Sequence, residues 1–173
     1  METTKLLPSE LKIFNFAKKE VSLFGEYLIS SLPRISGIAK NKEDSVKVDL
    51  SFYLENDKTP CIKGIIELDI VLECQRCLEA LQKHLKVNFN LAFVRNEQQA
   101  EGLDSQYEIY VIEGDELATI DLITDEILLS LPMAPSHNYE CNLNKDKQEI
   151  VKEKRENPFT ILKNIKIADV GKE

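Results

Sequence analysis

From Val46 to Leu54 the chain alternates without a break, with Val46, Val48, Leu50, Phe52 and Leu54 on one face and Lys47, Asp49, Ser51 and Tyr53 on the other. A period of two over this length fits a half-buried β-strand and excludes an amphipathic helix, whose apolar residues recur every three or four positions. After the turn-like ENDKTP of residues 55–60 the pattern resumes, with Ile62, Ile66, Leu68, Ile70 and Leu72 on one face and Lys63, Glu67, Asp69 and Glu73 on the other. Gly64 falls on the apolar face of that run, where a β-bulge is the expected explanation. A third run sets Leu85, Val87, Phe89, Leu91 and Phe93 against His84, Lys86, Asn88 and Asn90, and a weaker fourth covers residues 107–112. Three or four antiparallel strands with one wet face are expected.

Helical signals follow. Thr119 or Asp121 is placed to cap a segment whose apolar stripe is Ile120, Ile123, Ile127, Leu128 and Leu131, with Asp125 and Glu126 near the positive end of the helix dipole and Pro132 closing it. Near the C-terminus Asn157 and Pro158 provide a cap and an N1 proline before Phe159, Leu162 and Ile165. The first 40 residues suit a strand over 11–14, a short helix over 16–24 ended by Gly25, and irregular chain through Pro33 and Gly37. The fold class is α+β: an antiparallel sheet or partly closed β-barrel, covered by a helix near 120–131 and a short C-terminal helix. A single domain over residues 1–173 is expected, with its core at 45–135, a polar linker at 143–156 and a docking helix at 158–167.

At 173 residues, 43% hydrophobic and 30% charged, the chain has enough apolar mass for a core. No stretch approaches 18 consecutive apolar residues, and the start METTKLLPSELKIF lacks an apolar signal region, so a soluble cytoplasmic protein with no membrane partner is expected. The net charge of −8 has the wrong sign for a protein that coats phosphate backbones. Between Asn96 and Asn144 stand eleven acids and no Lys or Arg, which leaves the rest of the chain at +3. Glu113, Asp115, Glu116, Asp121, Asp125 and Glu126 are the candidate partner-binding residues of this block. Such a field attracts a basic partner and speeds its docking; the alternative is that the carboxylates only solvate a loop, a strand and a helix end.

Cys74 and Cys77 form a C-x-x-C at the end of the second alternating run, a spacing that lets two thiolates reach one tetrahedral zinc. His137 and Cys141, past the Pro132 helix stop, supply the other half of a Cys3His site if their loop folds back. Any such zinc would be structural. Cys74 also continues the apolar face of Leu68, Ile70 and Leu72, so a small buried core residue is the competing reading. Disulfides need an oxidising compartment to which nothing here exports the chain. For catalysis the sequence offers only His84 and His137, and no G-x-S-x-G, H-E-x-x-H, Walker A or G-x-G-x-x-G motif. Asp121 and Asp125 lie four apart and could share a metal, but capping and dipole roles explain them as well. No catalytic residue is assigned.

The string LECQRCLE at 72–79, the run DLITDEILLSLPMAPSH at 121–137 followed by Cys141, and the NPF at 157–159 leading into ILKNIK resemble the bacterial YceD family, over roughly residues 60–166. Thr124 stands where family members usually carry an acid, and Thr160 where an Ala follows the NPF. The resemblance implies a strand-rich middle, an acidic helix ending in Leu-Pro, and a role in accumulation of large-subunit ribosomal RNA, with no enzymatic activity or cofactor. Beside the charge map, it points to a basic ribosomal or rRNA-processing protein as partner, with the rRNA contacted indirectly. The alternative is direct precursor-rRNA binding through Arg76, Lys83 and Lys86 with Lys152, Lys154 and Arg155; an rRNA-processing enzyme is a further one.

Overall fold

In the computed structural model, which describes residues 7–56 and 58–141, the alternating runs become the three long strands of one sheet. They are β3 (Ser45–Glu55), β4 (Thr59–Glu73) and β5 (Ala80–Val94), paired antiparallel with Leu50 opposite Gly64 and Gly64 opposite Phe89. β2 (Ser22–Leu28) adds antiparallel to β3 and β6 (Glu108–Val111) adds to β5, giving the order β2-β3-β4-β5-β6. The sheet is open, with β2 and β6 as its edges, so the partly closed barrel is not formed. β1 (Glu10–Lys12) and β7 (Glu116–Ala118) make a separate antiparallel pair.

β6 departs from expectation by running parallel to β5. A parallel neighbour needs a long crossover instead of a tight turn, and residues 95–107 supply it. The crossover contains a 3-10 turn at Glu97–Ala100 and lays Leu103 and Tyr107 over Cys61 and Ala92, making a small second core on the outer face of the sheet. Tyr107 donates from its hydroxyl to the Glu55 carboxylate at 2.6 Å, which pins the crossover to the end of β3.

The bulge expected at Gly64 is also absent: β4 keeps register with both neighbours through this position. Glycine is required there because a Cβ would come within 1.9 Å of Phe89 Cζ, at the tip of the buried ring.

The N-terminal expectations need correction. Only residues 10–12 form the strand; a helix, α1 (Ile13–Lys18), starts at once, and residues 22–24 belong to β2 rather than to a helix. β2 runs straight through Gly25, whose missing side chain makes room for Leu7. The stretch expected to be irregular holds a 3-10 turn (Ile29–Ser31) and the short α2 (Pro33–Ser36), with Ile29, Leu32 and Ile35 all buried.

α3 (Thr119–Ser130) presses Leu122, Ile123 and Ile127 into the core formed by the inner face of the sheet. Neither Thr119 nor Asp121 caps it. Ala118 stands at the N-cap, and Thr119 donates its backbone N–H to Ser9 O at 3.0 Å and its hydroxyl to Pro8 O, so the N-terminal segment fills the capping role. Asp125 and Glu126 lie mid-helix, beyond the first turn where a dipole acts. Among the described residues no helix is long and apolar enough to cross a membrane. The expected linker at 143–156 and helix at 158–167 lie outside the described residues.

Candidate metal centre and acidic face

β4 and β5 form a hairpin whose tip is residues 74–79. Two backbone bonds close it, Cys74 N–H to Glu79 O and Leu78 N–H to Cys74 O, both 2.9 Å. The tight turn holds Leu78 in the left-handed region at φ +62°, unusual for a branched side chain. After α3, Pro132 ends the helix and the chain folds back onto the tip, where Gln75 N–H donates to Pro135 O at 2.8 Å. This return brings all four expected ligands together: Cys74, Cys77, His137 and Cys141 have their donor atoms within 4.8 Å of one another.

The distances suit a tetrahedral ion. Cys74 Sγ and Cys141 Sγ are 3.7 Å apart and Cys77 Sγ and His137 Nδ1 3.4 Å apart. Tetrahedral zinc with its usual bond lengths separates two sulfurs by about 3.8 Å and a sulfur from a nitrogen by about 3.6 Å. His137 Nε2 lies 3.3 Å from Ala80 O; an Nε2–H donated there leaves the Nδ1 lone pair for the cluster, which is how metal-binding histidines are oriented. The ring also stacks on Tyr139, with centroids 4.8 Å apart.

Electrostatics agree. Burial disfavours a Cys74 thiolate, but backbone N–H groups of Cys77, Arg76 and His137 outweigh it and hold the thiol down to about 5. Cys141 is likewise lowered against its burial, by His137 and Arg76. Cys77 is pushed up to about 11 despite the N–H of Glu79, because burial and its two ionised neighbours oppose a third charge. Hydrogen bonding to Cys141 raises His137 above its ordinary value. The cluster therefore has the donor set of a zinc or similar thiophilic cation, which would displace the remaining protons.

Arg76 was not among the residues expected in this site. Its guanidinium lies 3.3 Å from Cys141 Sγ and donates to the carbonyls of His137 and Tyr139, so it both fixes the returning loop and offsets negative charge on the Cys141 and Cys74 sulfurs. Arg76 remains exposed while making these contacts. Lys86 is engaged with Glu67 at 2.6 Å, and Lys83, opposite Ile70, faces the other side of the sheet, so these three bases share no common surface. His84 is exposed and pairs with Asp69 at 3.0 Å. Cys61 is a buried thiol of the second core, pushed up to about 11 by burial.

The six acidic candidates divide. Glu113 and Asp121 are exposed, with no ion pair among the described residues. Asp115 pairs with Arg95, Glu116 with Lys12 at 3.4 Å, and Asp125 with Arg34. The fold buries Glu126, 7% exposed, and its carboxyl is raised to about 7 by that burial and then by the charges of Glu108 and Asp125.

Fold and site together define a class: an open α+β sheet whose longest hairpin carries a Cys3His cluster at its tip. Residues 62–166 match the family model described as "Large ribosomal RNA subunit accumulation protein YceD", and the chain belongs to the YceD family. A Haemophilus influenzae protein called "Large ribosomal RNA subunit accumulation protein YceD" is 34% identical over 169 residues, which span 92% of this chain and 96% of the relative. No solved structure matches the chain.

Proposed function

We propose that this protein is a non-enzymatic cytoplasmic factor in the accumulation of large-subunit ribosomal RNA, and that it acts by binding a basic ribosomal or rRNA-processing protein through its acid-rich stretch. The relative named for large-subunit rRNA accumulation, aligned along nearly the whole chain, carries the first half of this reading. The base-free run from Asn96 to Asn144 supports the second. The exposed carboxylates of Glu113 and Asp121 have no ion partner among the described residues. Asp115, Glu116 and Asp125 sit in exposed ion pairs, which are worth about 0–1 kcal/mol each, so an incoming lysine or arginine exchanges for the internal partner at little cost. The Cys3His cluster holds a structural zinc that fastens the hairpin tip to the segment after α3.

The test is a pull-down with the full-length protein at two salt concentrations, with and without nuclease, bound proteins and RNA both identified. A basic ribosomal protein that survives nuclease, washes off in salt and is lost in Glu113→Lys/Asp121→Lys is the expected result. Precursor rRNA that carries every bound protein with it would overturn the reading in favour of direct RNA contact.

A further inference from the structure

A sheet edge invites pairing with another chain, and proteins usually guard it with lysine, proline or a covering segment. Among the described residues β6 is guarded only by its four-residue length and by Glu108: Glu108-Ile109-Tyr110-Val111 contains no lysine or proline, and no described residue bonds to its outer side. Ile112 N–H reaches Val94 O at 3.0 Å, so by the alternation of a parallel ladder Glu108 and Tyr110 turn their backbone groups toward β5. Ile109 and Val111 turn theirs outward. The same two residues expose apolar side chains on the outer face, 41% and 47% accessible, while Glu108, on the opposite face, lies close enough to raise the carboxyl of buried Glu126.

The other edge differs in charge. β2 belongs to a stretch, residues 1–56, with eight bases and eight acids, whereas β6 lies inside the run with no base at all.

We propose that the outer edge of β6, unpaired among the described residues, receives an extended segment of a basic partner protein in which basic and apolar residues alternate, adding a sixth strand to the sheet. Cross-strand neighbours share a face, so the apolar residues of the segment cover Ile109 and Val111, and its basic residues stand beside Glu108 and Tyr110. Backbone pairing supplies the affinity and the alternation supplies the selectivity. This rests on the partner reading above and adds to it the strand and the sequence pattern recognised.

The test is calorimetric titration of the full-length protein with the capped peptide Lys-Val-Lys-Val-Lys-Val. The controls are Glu-Val-Glu-Val-Glu-Val, a scramble of the basic peptide that breaks alternation, and the basic peptide N-methylated at alternate residues. Binding is expected for the first peptide only. Val111→Pro removes an outward N–H while leaving the ladder to β5 intact, and should weaken binding about tenfold. Should Val111→Pro fail to fold, the N-methylated peptide makes the same measurement from the other side. Equal binding of alternating, scrambled and N-methylated peptides would overturn pairing at β6 while leaving attraction to the acidic face intact. Absence of binding to all peptides, with a basic ribosomal protein still captured in the pull-down, would also overturn it without touching the partner reading. Failure of both measurements would overturn the two together.

Discussion

Replacing Gly64 by alanine tests the account of the central strand. The new Cβ would come within 1.9 Å of Phe89 Cζ, and β4 cannot retreat because it is paired on both sides, with Leu50 and with Phe89 itself. Phe89 must therefore leave its place in the core. Overpacking of this kind costs about 1–3 kcal/mol, and the entropy gained by replacing a strand glycine returns roughly 0.5–1 kcal/mol. A net loss of about 1–2 kcal/mol corresponds to a fall in Tm of about 3–8 °C for a domain of this size. Urea and thermal unfolding followed by circular dichroism would measure it. The double variant Gly64→Ala/Phe89→Leu should recover part of the loss, giving a coupling of about 0.5–3 kcal/mol between the two positions. An unchanged or higher Tm for Gly64→Ala, or strict additivity in the double variant, would refute the claim that the ring excludes a side chain here.

Three further expectations concern the tip and the helix. Purified protein should carry one zinc and, reloaded with Co²⁺, show tetrahedral thiolate bands; with free zinc at one hundred times Kd the bound ion adds about 2.7 kcal/mol, so a chelator should lower Tm by about 5–10 °C, and an unmoved Tm would argue against the site. Leu78→Gly should raise stability by a few tenths to about 1 kcal/mol by relieving the left-handed backbone at φ +62°, with zinc stoichiometry unchanged; a loss on urea unfolding would contradict the strain. Glu126 has its folded-state carboxyl raised to about 7, so the stability it contributes is full below about 4.5 and is lost as pH rises toward 7. Glu126→Gln should match the parent near pH 4 and exceed it by about 1–3 kcal/mol at pH 8, measured by urea unfolding at both values; equal stability at pH 8 would mean the carboxyl is solvated.

The strands β3, β4 and β5 were legible because one face of the sheet is wet, so polarity alternates with the pleat. β2 hid its alternation: its inward Gly25 has no side chain to read, and its outward Phe24 and Leu28 are apolar and exposed. The direction of β6 was illegible in principle, since a period of two is the same whichever way a strand runs. The spacing of Cys74, Cys77, His137 and Cys141 was enough to name the four side chains that the fold gathers at the tip. Arg76 was not readable, because its partners are carbonyls and a sulfur more than sixty residues away. Glu126 did leave a signal: it follows Leu122 by four residues and Ile123 by three, which places it on the stripe that α3 turns into the core.

The pairing of β1 with β7 and the joining of the 74–77 tip to the 137–141 loop both link early chain to late chain. During synthesis the second of these closures cannot form until Cys141 has emerged. His137 follows Cys77 by 60 residues, so at about 5–20 residues per second the two early thiols wait roughly 3–12 s for the imidazole. For that interval the hairpin tip holds only its two thiols, and until Ala118 has emerged β1 has no strand to pair with. Gathering of the four side chains and closure of the tip thus come only after residue 141 has emerged, and a nascent chain halted before residue 137 would present a thiol pair with neither the imidazole nor the third thiol beside it.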